Sequence, residues 1–302
     1  MKNSELLAEI LELKQRHKAM ILSHYYQEDE VQAIADYIGD SLELARQAAT
    51  TDAKVIVFCG VSFMAESAAV LSPEKIVLLP ALNAGCPLAD MVTPEQLRDM
   101  KKQYPEAGIV CYVNSSAAVK AESDICCTSS NAVKVVNSLP NQQIIFVPDR
   151  NLASYVATQT SKTIIPWDGY CCTHQALTVD DIARARTLYP GAPIAVHPEC
   201  PADVINRADY VGSTSGILKF VKLAPSDSVV IGTEKGILYS LRKENPNKQL
   251  FLLSDNLICY SMKLTTLSKI RDALKTLAPR ITVPLEVQEA AHRSLQKMLS
   301  IQ

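Results

Sequence analysis

The sequence VQAIADYIGDS, residues 31–41, occurs twice more in altered form, as VKAESDICCTS at residues 119–129 and as VINRADYVGST at residues 204–214. Each copy has valine first, aspartate sixth and a hydroxyl-bearing residue last. The aspartates Asp36, Asp124 and Asp209 are 88 and 85 residues apart. Because self-similarity at a fixed period indicates a repeated architecture, we expect three copies of one structural unit.

A pair of polar residues precedes each copy, directly after a short apolar segment that is predicted to be a strand (19–23, 108–111 and 193–196). The second member of each pair lies 15 residues before the final hydroxyl of its copy. Side chains at positions i and i+2 of an extended segment point the same way, so both members can face one site. The pairs are His24 with Tyr26, Tyr112 with Asn114, and His197 with Glu199.

Each unit continues with a predicted helix, a second strand, a helix or turn, and a third strand. The helices are predicted at 42–49, 132–139 and 216–223, the second strands at 54–58, 143–147 and 228–231, and the third strands at 75–79, 162–165 and 249–253. Alternating short buried strands and helices indicate βαβ units with parallel sheets. We therefore predict an α/β protein of three small three-layer αβα (Rossmann-like) domains in a pseudo-threefold arrangement.

The predicted domains span residues 1–107, 108–190 and 191–302. Segments 1–18 and 284–301 are predicted to be helices outside the repeat. The first domain is a candidate packing partner for the C-terminal helix.

One cysteine follows each third strand, at Cys86, Cys171 and Cys259. In parallel sheets the functional loops lie beyond the carboxyl ends of the strands, so a threefold arrangement brings these sulfurs together. Three thiolates suit either a zinc ion with one open position or a cubane iron–sulfur cluster with one iron that lacks a protein ligand. In both, the open position acts as a Lewis acid. The alternative is that the three are buried as small hydrophobic residues.

The other six cysteines lack the full repeat spacing, and we interpret them as core or lining residues: Cys59, Cys111, Cys126, Cys127, Cys172 and Cys200. The chain shows no export signal, so its thiols are expected to stay reduced.

The repeated hydroxyls, Ser41, Ser129 and Thr214, fall at or near predicted helix starts. Free backbone N–H groups there can bind an anion, although a helix cap alone also explains each residue taken singly. The paired residues add acid–base groups and hydrogen-bond donors. Together they fit a small polyanion, such as a dicarboxylate with a phosphate ester.

Composition narrows the class of protein. The 302 residues contain 30 Lys+Arg and 32 Asp+Glu, a net charge of −2, which argues against nucleic acid or an anionic membrane as the main partner. Apolar residues at 48% and charged residues at 21% are typical of a globular protein and exclude general disorder. No apolar run approaches the ~18 residues of a membrane span, and the N-terminus does not resemble a signal peptide. We expect a soluble, cytoplasmic protein.

A set of motifs in fixed order resembles the quinolinate synthase family. From about residue 19 to residue 280 these motifs are His24-Tyr-Tyr26-Gln, Asp40-Ser41, Gly60-Val-Ser-Phe63-Met64-Ala-Glu66, Tyr112-Val-Asn114, Thr128-Ser129-Ser-Asn131-Ala, Pro148-Asp149-Arg-Asn151-Leu152, Gly169-Tyr-Cys171-x-x-His174, Val196-His197-Pro-Glu199-Cys200 and Gly232-Thr-Glu234.

The resemblance implies three stacked α/β domains and an enzyme that condenses iminoaspartate with dihydroxyacetone phosphate. The product is quinolinate, the precursor of the pyridine ring of NAD, and phosphate and two waters are released. The family carries an oxygen-sensitive 4Fe–4S cluster held by one cysteine per domain. Because iminoaspartate is labile, the resemblance also implies an aspartate oxidase or dehydrogenase as a functional partner.

Residue by residue, the resemblance implies that Cys86, Cys171 and Cys259 hold the cluster and leave one iron open. Tyr26 and Glu199 are the implied proton-transfer pair, and His197 is grouped with them as catalytic. Ser41 is assigned to the phosphate-bearing substrate. The remaining residues assigned to substrate binding, with Glu199 also among them, are His24, Tyr112, Asn114, Ser129, His174, His197, Ser213 and Thr214.

Two other functions remain open on the residues alone. The same three cysteines could hold zinc in a hydro-lyase or aldolase that acts on a phosphosugar. A binding or sensor protein could use a cluster to report oxygen or iron, but the sequence shows no basic helix or partner motif as an output surface.

Overall fold

The computed structural model of the protein describes residues 3–301, which form three separate sheets with helices between the strands. The chain begins with α1 (Asn3–His17), and the first two residues of the helix predicted at 1–18 lie outside the described residues. The first repeat then consists of β1 (Ala19–His24), α2 (Asp29–Ile34), β2 (Tyr37–Gly39), α3 (Ser41–Thr50), β3 (Val55–Cys59), α4 (Ser62–Leu71), β4 (Ile76–Leu78), a 3₁₀ helix (Ala89–Met91) and α5 (Pro94–Gln103).

The second and third repeats follow the same order of elements. The second consists of β5 (Gly108–Tyr112), α6 (Ala117–Ala121), β6 (Ile125–Cys127), α7 (Ala132–Ser138), β7 (Gln143–Val147), α8 (Arg150–Ala157), β8 (Thr163–Pro166), α9 (Cys172–Gln175) and α10 (Val179–Leu188). The third consists of β9 (Ile194–Val196), α11 (Ala202–Ile205), β10 (Tyr210–Val211), α12 (Thr214–Leu223), β11 (Ser228–Gly232), α13 (Ile237–Glu244), β12 (Gln249–Leu252) and a 3₁₀ helix (Tyr260–Lys263), before α14 (Leu267–Thr276) and α15 (Leu285–Ser300).

The three sheets share one topology. Their strand orders are β2-β1-β3-β4, β6-β5-β7-β8 and β10-β9-β11-β12, and neighbouring strands are parallel throughout. Central strands such as β3 and β5 are buried along their whole length, because helices cover both faces of a parallel sheet. The predicted fold class, three αβα units with parallel sheets, is confirmed. The division at 107/108 and 190/191 stays a prediction.

The number of strands differs from the prediction. Each sheet has four strands where the sequence predicts three, and the additional edge strands β2, β6 and β10 lie inside the repeated motif itself. These strands contain only two or three residues, too few to show an alternating pattern. The strand order changes direction between the first and third strands of each repeat, and ligands bind at such a point, beyond the carboxyl ends of the strands.

The positions that recur in all three copies of the motif have a structural explanation. The first-strand residues Ile21, Ile109 and Ile194 each donate a backbone N–H to the carboxylate of Asp36, Asp124 or Asp209, at 2.8, 2.8 and 2.7 Å respectively. Each aspartate N–H donates back to the carbonyl of the same isoleucine, at 2.9, 3.1 and 2.9 Å. The motif valines, Val31, Val119 and Val204, are fully buried. The motif therefore fixes the edge strand against the first strand of its repeat.

Asp124→Ala is expected to lower the free energy of unfolding by about 1–3 kcal/mol, because it leaves the buried N–H of Ile109 without its side-chain acceptor. Urea unfolding followed by circular dichroism measures the change. Asp99→Ala, which removes an exposed partner of Lys102 on α5, is the control and should change little. Equal unfolding curves for the two variants would refute this role of the motif aspartate.

The last two helices pack against the first and second repeats. Leu267 and Ile270 of α14 pack with Ile10 and Leu13 of α1 and with the first sheet. Helix α15 packs on α4 of the first repeat and on α6 and β6 of the second. The C-terminal helix therefore bridges two repeats, where the sequence offered only the first as its partner. Among residues 3–301 no helix combines the length and the apolar character needed to cross a bilayer.

Candidate active site

A cavity lies where the carboxyl ends of the first strands meet. β1 ends at His24, β5 ends at Tyr112, and His197 follows β9 directly. The cavity wall takes residues from all three repeats. Of the predicted site residues, those on this wall are His24, Tyr26, Ser41, Cys86, Tyr112, Asn114, Ser129, Cys171, His174, His197, Glu199, Thr214 and Cys259.

Ser213 is the one predicted site residue that does not line the cavity. It caps α12, since its hydroxyl accepts the N–H of Gly216 at 3.1 Å. Thr214 follows as the first residue of the helix, and Ser41 has the same place in α3 after the cap residue Asp40. Ser129 lies two residues before Asn131, the residue that precedes α7. The repeated hydroxyls thus sit at or beside helix starts, as expected, and none of the three is itself the cap.

All three repeat cysteines line the cavity. Burial raises the pKa of Cys86 to about 12, with a further contribution from Cys259. Burial raises the pKa of Cys259 to about 11. Burial also raises the pKa of Cys171, and the nearby Cys86 raises it further. Thiols in this state hold their protons until a cation is present, because a bound metal stabilises the thiolate. Cys172, next in sequence, is exposed and does not line the cavity.

Cys171 also belongs to a tighter group that could hold a single metal ion. One ligand atom each from Cys171, His174 and Glu199 lie within 4.8 Å of one another. His174 Nδ1 is 2.7 Å from Glu199 Oε2 and 3.3 Å from Cys171 Sγ. The site therefore offers two possible sets of metal ligands, the three repeat cysteines and this mixed group. Both sets include Cys171.

A chain of hydrogen bonds connects Glu199 to Tyr26. His174 Nε2 is 2.9 Å from Thr233 Oγ1, which is 2.6 Å from the Tyr26 hydroxyl, and this hydroxyl is 2.8 Å from Thr214 Oγ1. A carboxylate only accepts hydrogen bonds, so Nδ1 of His174 donates to Glu199. In the neutral ring Nε2 then accepts from Thr233, and Thr233 accepts from Tyr26. The donors of this hydrogen-bond chain therefore all point in one direction, from the Tyr26 hydroxyl to the Glu199 carboxylate.

The charges of these groups follow from burial. Burial acts to raise the pKa of Glu199, but the imidazoles of His197 and His174 outweigh it and lower the pKa to about 2. Burial raises the pKa of Tyr26 and lowers that of His24 to about 4 and that of His197 to about 3. At neutral pH the site therefore offers a carboxylate, a protonated tyrosine and two uncharged imidazoles.

Two buried acceptors of the cavity wall have no hydrogen-bond partner within residues 3–301. They are Oε1 of Glu199 and Oδ1 of Asn114. A buried unpaired oxygen is costly, and a bound molecule with N–H or O–H groups would remove this cost. His24 is oriented to add a donor: its Nδ1 accepts the N–H of Tyr26 at 3.1 Å, which leaves the proton of the neutral ring on Nε2.

Sequence reasoning missed several polar residues of this site, among them Thr233, Glu234 and Asp40. Thr233 and Glu234 belong to the Gly232-Thr-Glu234 motif and Asp40 directly precedes Ser41, but none of the three was predicted to be a site residue. Asp40 Oδ2 accepts the hydroxyls of Ser130 at 2.8 Å and Ser215 at 2.6 Å, so it joins the first repeat to the other two. The motif position was the signal that could have identified each of them.

A buried acid–base chain and three sulfur donors around one cavity define an enzyme site whose donors suit a soft metal or a cluster. Residues 8–300 match the family described as Quinolinate synthetase A protein, and the chain belongs to that family. The enzymes of this family act in NAD biosynthesis, as the sequence resemblance implies.

Curated relatives share the full length of the chain. A quinolinate synthase of Methanoregula boonei is 55% identical over 296 residues, which cover 98% of both chains. One from Desulforudis audaxviator is 54% identical over 99% of both chains, and one from Alkaliphilus metalliredigens is 51% identical over 100% of both.

Proposed function

We propose that this protein condenses iminoaspartate with dihydroxyacetone phosphate to quinolinate, with release of phosphate and two waters. The observation that carries the proposal is the presence of three sulfur donors and the chain from Tyr26 to Glu199 on the walls of one cavity. The relatives described above are named for the same product.

We propose a 4Fe–4S cluster on Cys86, Cys171 and Cys259 as the cofactor. The donor chemistry fits, since thiolates are the usual ligands of such clusters and each repeat provides one. When bound, the cluster would supply a Lewis-acidic iron that has no protein ligand and favours loss of hydroxyl groups. The cysteines are only half-buried, which leaves a route for assembly.

The proton transfers are assigned to the chain's own side chains. Tyr26 can pass its proton through Thr233 to Nε2 of His174, and the Glu199 carboxylate stabilises the imidazolium that results. Tyr26 can then accept a proton from a substrate carbon or imine nitrogen. Return of the proton along the same route allows Tyr26 to protonate a departing hydroxyl.

Substrate binding is assigned to the uncharged donors and helix starts of the wall. Ser41 and Thr214 are the first residues of α3 and α12 and line the cavity, where their hydroxyl groups can donate to the phosphate and carboxylates of the substrates. His197 Nε2 and Ser129 Oγ, 3.2 Å apart, form another polar contact that a carboxylate could enter. Burial of the cavity between three repeats limits hydrolysis of the imine.

Anaerobic purification followed by iron and sulfide analysis and a quinolinate assay tests the function. The expected result is a brown protein with about four irons and four sulfides per chain, and quinolinate formed from the two substrates. A colourless protein that holds one zinc per chain and forms no quinolinate would instead support the zinc hydro-lyase or aldolase on the same three cysteines. The group of Cys171, His174 and Glu199 offers such an ion a second, mixed donor set. Cluster without quinolinate formation would contradict the proposed reaction.

Supply of the first substrate requires a second enzyme. Iminoaspartate hydrolyses readily, so we propose that an aspartate oxidase or dehydrogenase produces it close to the site of use.

A further inference from the structure

Two carboxylates occupy equivalent places in the second and third repeats. Asp149 lies two residues after β7, and Glu234 lies two residues after β11. Both are fully buried. Neither is among the predicted site residues, although each belongs to a motif that the sequence shares with the family.

Each carboxylate binds the backbone of a repeat cysteine. Asp149 Oδ2 accepts the N–H of Cys171 at 3.1 Å, and Glu234 Oε1 accepts the N–H of Cys259 at 3.2 Å. The second oxygen of each also accepts a backbone N–H, from Leu152 at 2.7 Å and from Gly236 at 2.7 Å respectively. Both oxygens of each carboxylate therefore accept a backbone N–H. An amide side chain cannot accept both hydrogen bonds, because its nitrogen is a donor.

Within residues 3–107, no carboxylate makes the equivalent contact with the N–H of Cys86. Val61 has the place of Asp149 and Glu234, since it lies two residues after β3. The loop that leads to Cys86 is held by a backbone hydrogen bond, in which the N–H of Ser62 donates to the carbonyl of Ala84 at 2.8 Å. The carboxylate contact is thus a feature of two cysteine loops.

Glu234 is itself held in place by a cation. Lys263 Nζ is 3.0 Å from Glu234 Oε1 and donates to the carbonyl of Tyr26 at 2.6 Å. Gly236 makes this approach possible, because a Cβ atom there would lie 2.7 Å from the Tyr26 carbonyl carbon. The Cys259 loop and the backbone of Tyr26 therefore share one anchor.

We propose that Asp149 and Glu234 are positioning residues that hold the loops of Cys171 and Cys259 so that both sulfurs face the centre before iron binds. This inference rests on the proposed cluster site. Fixing two of the three ligands in advance lowers the entropy cost of cluster assembly. Substitution of residues that hydrogen-bond to metal ligands typically lowers the affinity for the metal by about 10–100-fold.

Asp149→Asn and Glu234→Gln test the proposal in the full-length chain, reconstituted without oxygen. Asparagine caps a helix as well as aspartate does, so Asp149→Asn can keep the cap of α8 and lose the contact with Cys171. The rate of iron loss to an excess of chelator is expected to rise about tenfold or more in both variants. The electron paramagnetic resonance spectrum of the reduced cluster is expected to change, because its ligand geometry is less fixed.

Thr178→Ala is the matched control, since it removes a cap residue, that of α10, without contact with a repeat cysteine. It is expected to release iron at the rate of the unaltered protein. Circular dichroism and urea unfolding of the iron-free proteins separate a loss of fold from a loss of ligand position. Unaltered protein that binds no cluster would refute the proposed function, whereas a loaded protein whose two variants keep iron and spectrum unchanged would refute only this inference.

Discussion

Alanine at Cys86, Cys171 or Cys259 is expected to leave the anaerobically purified protein with almost no iron and no measurable quinolinate formation. Each repeat brings one sulfur to the cavity wall, and two sulfurs are too few to hold a cubane cluster. Iron and sulfide content, the visible spectrum and the quinolinate assay measure the effect.

The other cysteines provide controls for this result. Cys59 and Cys200 are buried away from the cavity, and Cys172 is exposed beside a proposed ligand. Alanine at any of these three should leave iron content close to that of the unaltered protein. Normal iron in a variant of Cys86, Cys171 or Cys259 would remove that residue from the ligand set, and loss of iron on changing Cys172 would transfer the role of Cys171 to its neighbour.

Tyr26→Phe and Glu199→Gln are expected to lower kcat by about 10²–10⁴-fold while iron content stays the same. The first change removes the hydroxyl that joins Thr214 and Thr233, and the second removes the carboxylate that accepts from His174. Steady-state kinetics with parallel iron analysis separates loss of chemistry from loss of the cofactor.

Tyr25→Phe is the control for the tyrosine, because Tyr25 is the adjacent residue and does not line the cavity. We expect its kcat to stay within about twofold of the unaltered value. Full activity of Tyr26→Phe would exclude Tyr26 from proton transfer. Loss of iron in Glu199→Gln would instead point to a metal held by the group of Cys171, His174 and Glu199.

The repeat explains why so much of the site could be predicted from one sequence. A spacing that recurs three times indicates which positions are equivalent, and several of these equivalent positions line one cavity. The pair His24 and Tyr26, the hydroxyl of Thr214 and the cysteine at 259 were identified in this way, and the structure brings them to one cavity. Their individual roles stay predictions.

Thr233 was missed because its hydroxyl does not recur in the other repeats. Gly60 and Pro148 stand where the third repeat has Thr233, so the spacing gives no signal for that hydroxyl. Its importance comes from two contacts with distant segments, to Tyr26 and to His174, which depend on how the repeats pack. The short edge strands were missed for another reason, since sheet pairing rather than local pattern makes two residues such as 210–211 extended.

The polar pairs at the carboxyl ends of β1, β5 and β9 are alike in position and different in chemistry. Aligning the repeats by their strands would exchange a phenol at 26 for an amide at 114 or a carboxylate at 199. Two dissimilar reactants can consequently match the walls in a single orientation. A symmetrical scaffold would in this way dictate regiochemistry, so that only one carbon of each partner meets the other.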